Sequence, residues 1–417
     1  MKRNFTPLTV VAATVLFGFT LALPVRAEQP KAAAPDLSAE QGEVVIPDSS
    51  VEHLRDRGVR MHTNLVIYHS DAVTHDSAPA ATWETPASLG CVYGITGPKG
   101  VNPCTTSASK TNPGGGSGAI AIVDAYDNPD AATDLSVFSS YWGLPQARFT
   151  KVYAQGTKPA NNAGGWSLEE ALDIEWAHAM APNAKIILVE AMQPTNQDLF
   201  AAEKTAASMV AAAGGGEVSN SWSGSETPSE TLYDSKYFST AGVVYFASAG
   251  DSGGVGYPSA SPNVISAGGT RINRVNGKFV SETVWNDSSG ETGGGPSQYE
   301  NIPSYQAGIV PGAKRGTPDL SFNASPYSGV AVYDADGGYR WTAVGGTSLS
   351  SPALAGIVNA AGHFYRSTAI EQAVLYSNRG NTGVFRDIIL GSCKGYHART
   401  GWDYCTGLGS AQTLVGK

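Results

Sequence analysis

Between residues 119 and 270, short apolar runs alternate with longer stretches whose apolar positions follow a helical period. AIAIVDAY (119–126), AKIILVEA (184–191), EVSNSWS (217–223), GVVYFASAGDSGG (242–254) and PNVISAGGT (262–270) read as strands. The segments between them, near 164–180, along QDLFAAEKTAASMVAA and near 228–240, read as helices. Such alternation predicts an α/β protein with a mostly parallel central sheet covered by helices. Several runs end at polar residues, among them Asp124, Asp127, Ser221 and Asp251. In an open parallel sheet, ligand sites gather at the carboxyl ends of the strands, so these side chains are expected along one edge.

The amino terminus has a different pattern. Lys2 and Arg3 precede an apolar run from Leu8 to Leu23, followed by PVRA with small residues at Val25 and Ala27. Residues 1–27 therefore read as a secretory signal peptide. The run is shorter than the roughly 18–20 residues of a membrane span, so no membrane association is expected once it is removed. Residues 28–85 begin Pro-, Ala- and acid-rich, and are too few to bury much core alone; they read as a short propeptide or an N-terminal arm. Residues 86–417 form the main domain, with no internal repeat.

Charge narrows the classes of partner. The formal net charge is −9, and loss of Lys2, Arg3 and Arg26 with residues 1–27 makes it −12. With no basic tract, nucleic acid is not an expected partner. Four cysteines in an exported chain point to disulfides. Nearness in sequence suggests Cys91–Cys104 and Cys393–Cys405, although four cysteines allow three connectivities.

The segment WTAVGGTSLSSPALAGIVNAAGHFYR (341–366) carries the candidate chemistry. Gly345 and Gly346 allow close backbone approach, and Ser348 would stand where a loop enters a helix, with Pro352 tolerated in the first turn. Backbone N–H groups at a helix start stabilise developing negative charge. The same serines, Ser348, Ser350 and Ser351, could equally serve as helix caps.

GGTSLSSP resembles the GTSxxxP signature of subtilisin-like serine peptidases. Their usual base is a histidine, yet none of the seven histidines here lies in a glycine-flanked GHGT-type motif. Instead GWSLEEALDIEWAHAMAPNAKI resembles the sedolisin family, the serine-carboxyl peptidases. FASAGDSGG, SNSWSG, SETVWNDSSGETGGGPSQYENIPSYQ and KRGTPDLSFNA are similar to further stretches of that family, in order, over roughly 119–417. The resemblance implies a subtilisin-like three-layer fold. It assigns Ser348 as nucleophile, Glu169 as general base, Asp173 as its partner and a protonated Asp251 as oxyanion donor. Glu169 and Asp173 are spaced i,i+4, which puts both on one helix face. Glu170 is then a solvated or structural acid, Glu175 a helix-surface or supporting group, and Asp124 structural.

It further implies that Ser221, Trp222 and Gly293, Gly294 and Gly295 line an extended peptide cleft. FRDIILGSCKGYHARTGWDYCTGLGS (385–410) resembles the family's calcium loop, with ligands from Asp387, Ile388, Arg399, Gly401 and Asp403 around one structural Ca2+. Arg399 stands where a glycine is usual, but its carbonyl is the ligand. The implied activity is a secreted, extracellular or periplasmic endopeptidase acting on proteins or peptides at acidic pH through an acyl-enzyme, as a monomer by default. Two rivals are a non-catalytic binding module of the same fold and a neutral hydrolase using His178 or His363.

Overall fold

The computed structural model describes residues 1–2, 42–70, 78–96, 104–107, 109–163, 165–338 and 340–417. The expected signal peptide lies outside the described residues, apart from its first two. All that follows concerns the compact unit 35–417.

In chain order, β1 (Gly42–Val45), β2 (His62–Thr63) and β3 (Val66–Ser70) precede β4 (Ala119–Ala125), α1 (Ala131–Trp142) and β5 (Arg148–Tyr153). Then come α2 (Trp166–Met180), β6 (Lys185–Ala191), α3 (Asn196–Ala212), β7 (Gly216–Asn220) and β8 (Trp222–Ser225). The chain continues with β9 (Val243–Ser248), β10 (Ile265–Val275), β11 (Leu320–Asn323), β12 (Val330–Asp334), β13 (Arg340–Gly345) and α4 (Thr347–Ala360). The main sheet runs β11-β10-β9-β7-β4-β6-β5, all parallel, and is extended beyond β11 by Ser410–Ala411 and Phe385–Arg386.

Both faces of this sheet are dry. Ile120 and Ile122 of β4 pack into one apolar cluster with α2 and α4, while Ala121 and Val123 pack into another with α3. In β6, Ile186 and Leu188 divide from Ile187 and Val189 in the same way. Side chains alternate across a strand, so burial on both faces demands the unbroken apolar runs seen in the sequence. The helices sit on both sides, giving the α/β three-layer architecture that was expected.

The run 217–223 is not one strand. β7 stays in the main sheet, the chain turns at Ser221, and β8 pairs antiparallel with β2 on one side and with Gly256–Tyr257 on the other. A second, antiparallel sheet has the order β1-β3-β13-β12. Residues 42–70 therefore supply strands to two sheets of the body. Disulfides join Cys91 to Cys104 and Cys393 to Cys405, the pairs adjacent in sequence.

Candidate active site

α2 shapes the site because every one of its residues is buried. α4 covers it from one side and the sheet from another. Four acids, Glu169, Glu170, Asp173 and Glu175, are thereby drawn out of water. Of the two readings open for each, burial rules out a solvated Glu170 and a helix-surface Glu175 and leaves the structural and supporting ones. Glu170 accepts from the Asn128 N–H (3.2 Å), and Glu175 accepts from the Tyr333 N–H (3.1 Å). Both are anchoring groups between elements.

Ser348 is the second residue of α4, fully buried behind Gly346, whose φ of 97° favours glycine. Its Oγ donates to the Ser221 carbonyl (3.1 Å) and accepts from the Asn64 N–H (3.0 Å). Pro352 lies in the second turn of α4, not the first, so the helix lacks the N–H that would bond the Ser348 carbonyl. Ser221 fills that gap: its Oγ lies 3.0 Å from the Ser348 carbonyl and 2.9 Å from Asp173 Oδ1. One hydroxyl proton cannot serve both. When it goes to the carbonyl, Asp173 must itself carry a proton to close the second bond.

The acids are tuned together. Burial, then the charges of Asp173 and Asp124, push the Glu169 carboxyl well above its ordinary range, while the Ser348 hydroxyl pulls it back. Burial likewise raises Asp173, against hydrogen bonds from Ser221 and Glu169, and raises Asp124, helped by Asp173 and Glu190. Glu169 is close enough to feel Ser348 and Asp173, yet neither of its oxygens closes a bond within 3.5 Å. The serine proton is spent on Ser221 in this state, and catalytic hydrogen bonds commonly tighten only when the reacting group arrives. Crowded carboxyls of this kind hold a shared proton, because ionising all of them in a dry site is unfavourable.

Asp251 follows β9 and is fixed from one side only. The Thr347 N–H (2.8 Å) and hydroxyl (2.7 Å) donate to its Oδ1, whereas Oδ2 is shielded from solvent and unpartnered. Burial raises this carboxyl to about 7, with the Thr347 bonds working against it. A β-carbon on Gly346 would strike both Asp251 Oδ2 and the Asn64 carbonyl, so these two oxygens flank the same point.

The other expected site residues fall into distinct places. Trp222 offers its backbone to β2, while its ring is buried and its Nε1 donates to the Val123 carbonyl (2.8 Å). Gly293 and Gly294 lie against the backbone of Ala249 and Tyr404, and their N–H groups donate to Gly250 and Gly254. They buttress the loop that bears Asp251, and Gly295 continues into a strand paired at Thr317. His178 is buried, with Nε2 2.8 Å from the Pro145 carbonyl, while the Ser348 hydroxyl bonds the Ser221 carbonyl and the Asn64 N–H instead. His363 follows α4 and is exposed. Sequence reasoning missed Asn64, Ser223 and Ser248, which meet one another beside Ser348. The two serines lie inside the stretches SNSWSG and FASAGDSGG, whereas no motif marks Asn64.

The 385–410 loop gathers the other expected set. The Gly401 N–H donates to Asp387 Oδ2 (2.9 Å), and the Arg399 N–H to Asp403 Oδ2 (3.1 Å). Asp403 Oδ1 accepts from the Cys405 and Thr406 N–H groups, both at 2.8 Å. Two carboxylates thus bracket one turn. Among the described residues no group of three or more His, Cys, Asp or Glu forms a metal cluster, so backbone carbonyls would have to complete a shell. An all-oxygen set of that kind fits calcium and not zinc.

Residues 156–373 match the subtilase family model, Peptidase_S8. The chain is similar to kumamolisin of Bacillus sp. (strain MN-32), 34% identical over 325 residues, which is 70% of this chain and 58% of kumamolisin. It is 39% identical over 171 residues to sedolisin of Pseudomonas sp. (strain 101), covering 37% of this chain and 28% of that protein. The chain therefore spans little more than half the length of these relatives, or less. The solved Pseudomonas sedolisin, a serine-carboxyl proteinase complexed with two molecules of pseudo-iodotyrostatin, aligns with a TM-score of 0.66 at 25% identity. That alignment covers 80% of this chain and 96% of the other.

Proposed function

Because the chain belongs to the sedolisin family of subtilisin-like proteins, we propose that it is a secreted serine-carboxyl endopeptidase that hydrolyses peptide bonds in acid. One observation carries this reading: Ser348, a buried carboxyl pair and a half-buried Asp251 meet at the carboxyl end of the sheet, with neither His178 nor His363 among them. Ser348 Oγ attacks the scissile carbonyl and its proton passes to Glu169. Asp173, held by Ser221, shares the proton load of Glu169. Asp251 donates through Oδ2 to the oxyanion beside the Ser348 N–H. Glu169 then protonates the leaving amine, and water opens the acyl-enzyme. The two disulfides suit an oxidising compartment, and among the described residues no helix is long and apolar enough to cross a membrane.

The oxyanion donor sets the alkaline limit. Asp251 must be neutral to donate, and its carboxyl titrates at about 7. Cleavage of a denatured protein, followed from pH 3 to 8, should peak below pH 7 and be absent in Ser348→Ala. Activity that rises steadily to pH 8 would remove the carboxyl mechanism.

One calcium ion held by Asp387, Asp403 and the carbonyls of Ile388, Arg399 and Gly401 completes the proposal. When bound, it would supply charge that pins the 399–403 turn. Ligand binding only to the folded state adds about 2.7 kcal/mol at one hundred times Kd, so a chelator should lower Tm by several degrees. Elemental analysis should recover about one calcium per chain. No metal and an unchanged Tm would exclude the site.

A further inference from the structure

The cleft beside Ser348 already contains a peptide, and it belongs to this chain. β2 lies antiparallel on β8, with His62 opposite Ser223 and Thr63 opposite Trp222. Two residues later β3 lies antiparallel on β13, with Val66 opposite Gly345 and Ile67 opposite Val344. Between these pairings the backbone crosses Ser348. The Ser348 N–H donates to the Asn64 carbonyl (2.9 Å), and the same carbonyl oxygen faces Gly346 near Asp251 Oδ2. The Asn64 carbonyl thus occupies the place an oxyanion would take, and Leu65 follows on the leaving side. An added strand held by main-chain bonds, with one side chain sunk in a pocket, is how extended peptides are recognised.

The pocket holding that side chain is built for an amide. Asn64 Nδ2 donates to Ser248 Oγ (2.7 Å), and Ser223 Oγ lies 3.1 Å from both Nδ2 and Oδ1. Asn64, Ser223 and Ser248 are all buried, so a partner lost here is not replaced by water. An apolar side chain would leave two hydroxyls unpaired, and a carboxylate would have to shed its hydration. Sites that hydrogen-bond a substrate group reject analogues lacking it far more strongly than apolar pockets reject a methylene.

We infer that the pocket formed by Ser223 and Ser248 selects asparagine, so that the enzyme cuts on the carboxyl side of asparagine and its own Asn64–Leu65 bond is seated as a substrate. This rests on the peptidase reading above. In the self-directed reaction, Ser348 Oγ bonds to the Asn64 carbonyl carbon and gives its proton to Glu169. The Asn64–Leu65 C–N bond breaks, and Glu169 returns the proton to the Leu65 nitrogen. Water then hydrolyses the ester, leaving a carboxylic acid on Asn64 and regenerating Ser348.

The test uses the full chain as wild type, Ser348→Ala and Ser248→Ala, incubated from pH 3 to 8 with a denatured protein substrate. Mass spectrometry maps every cut in both the chain and the substrate. Asparagine before the cut should be enriched at least about ten-fold over leucine or aspartate in the substrate, with that enrichment falling several-fold in Ser248→Ala. A Ser348-dependent cut at Asn64–Leu65 should accompany it. Ser348-dependent cleavage in acid without asparagine enrichment overturns this inference and leaves the peptidase standing. Absence of any Ser348-dependent cut, in chain or substrate, removes both.

Discussion

Glu169→Gln should lower kcat by about three orders of magnitude at the optimum pH and leave KM within a few-fold, since general acid–base catalysis contributes roughly 10²–10⁴. Glutamine keeps the volume and polarity of the buried position but cannot carry the serine proton to the leaving amine. The informative control is one residue away. Glu170 is equally buried, but it bonds the Asn128 N–H and is tuned by Glu190, so it belongs to the α2–β6 side of the acid cluster. Glu170→Gln should therefore retain kcat within about ten-fold, given the usual scale of a second-order electrostatic change. Single-turnover rates for the two variants, measured beside Ser348→Ala, separate the roles. Wild-type kcat in Glu169→Gln would disprove its assignment as base.

Stability should fall as pH rises, opposite to the familiar acid lability of proteins with paired carboxylates. Burial raises Glu203, Glu217 and Glu175 well above the ordinary range, and brings Glu371, Glu300 and Asp134 each to about 8. Unfolded, these groups release their protons near pH 4–4.5. Below that, folded and unfolded chains hold the same protons and this source of stability is intact. From about pH 4 to about 8 the unfolded chain binds fewer protons than the folded one, so stability declines until the folded carboxyls ionise too.

Each group acting fully changes stability by about 1.4 kcal/mol per pH unit, and two of them between pH 5 and 8 match a large part of a typical 5–15 kcal/mol total. Opposing groups are fewer. His62 and His178 are lowered by burial, and Asp127 is held low by Lys151 and Lys158 although burial works against it. These cost stability as pH falls, the histidines below about 6.5 and Asp127 below about 4. Thermal unfolding should show Tm at pH 4.5 at least about 10 °C above that at pH 8. A Tm that is flat or rising over this window would mean that water or structural relaxation reaches these acids.

What could be read from the sequence followed from how each residue is used. β4 and β6 were legible because a strand dry on both faces leaves an apolar run, and the cysteine pairs because their short separations match the bridges formed. α2 was legible as a helix and misleading as a surface: a run with four acids looks solvated until α4 is laid over it. Ser221 was expected to line a cleft, but its hydroxyl is occupied by the carbonyl that Pro352 frees, a relation between residues far apart in sequence. Asn64 could not be picked out at all. It sits in a segment too short to fold alone, and its meaning comes from two serines on different strands.

The strand across Ser348 is tethered on both sides of Asn64–Leu65, because β2 pairs with β8 and β3 with β13. Its occupancy of the cleft is therefore set by an effective concentration, on the order of millimolar or more for a short connection, and does not weaken on dilution. A peptide arriving from solution competes against that fixed local supply at every enzyme concentration. Breaking one covalent bond in the strand would leave both new ends held in their sheets, so the cleft would open only as fast as those main-chain pairings separate.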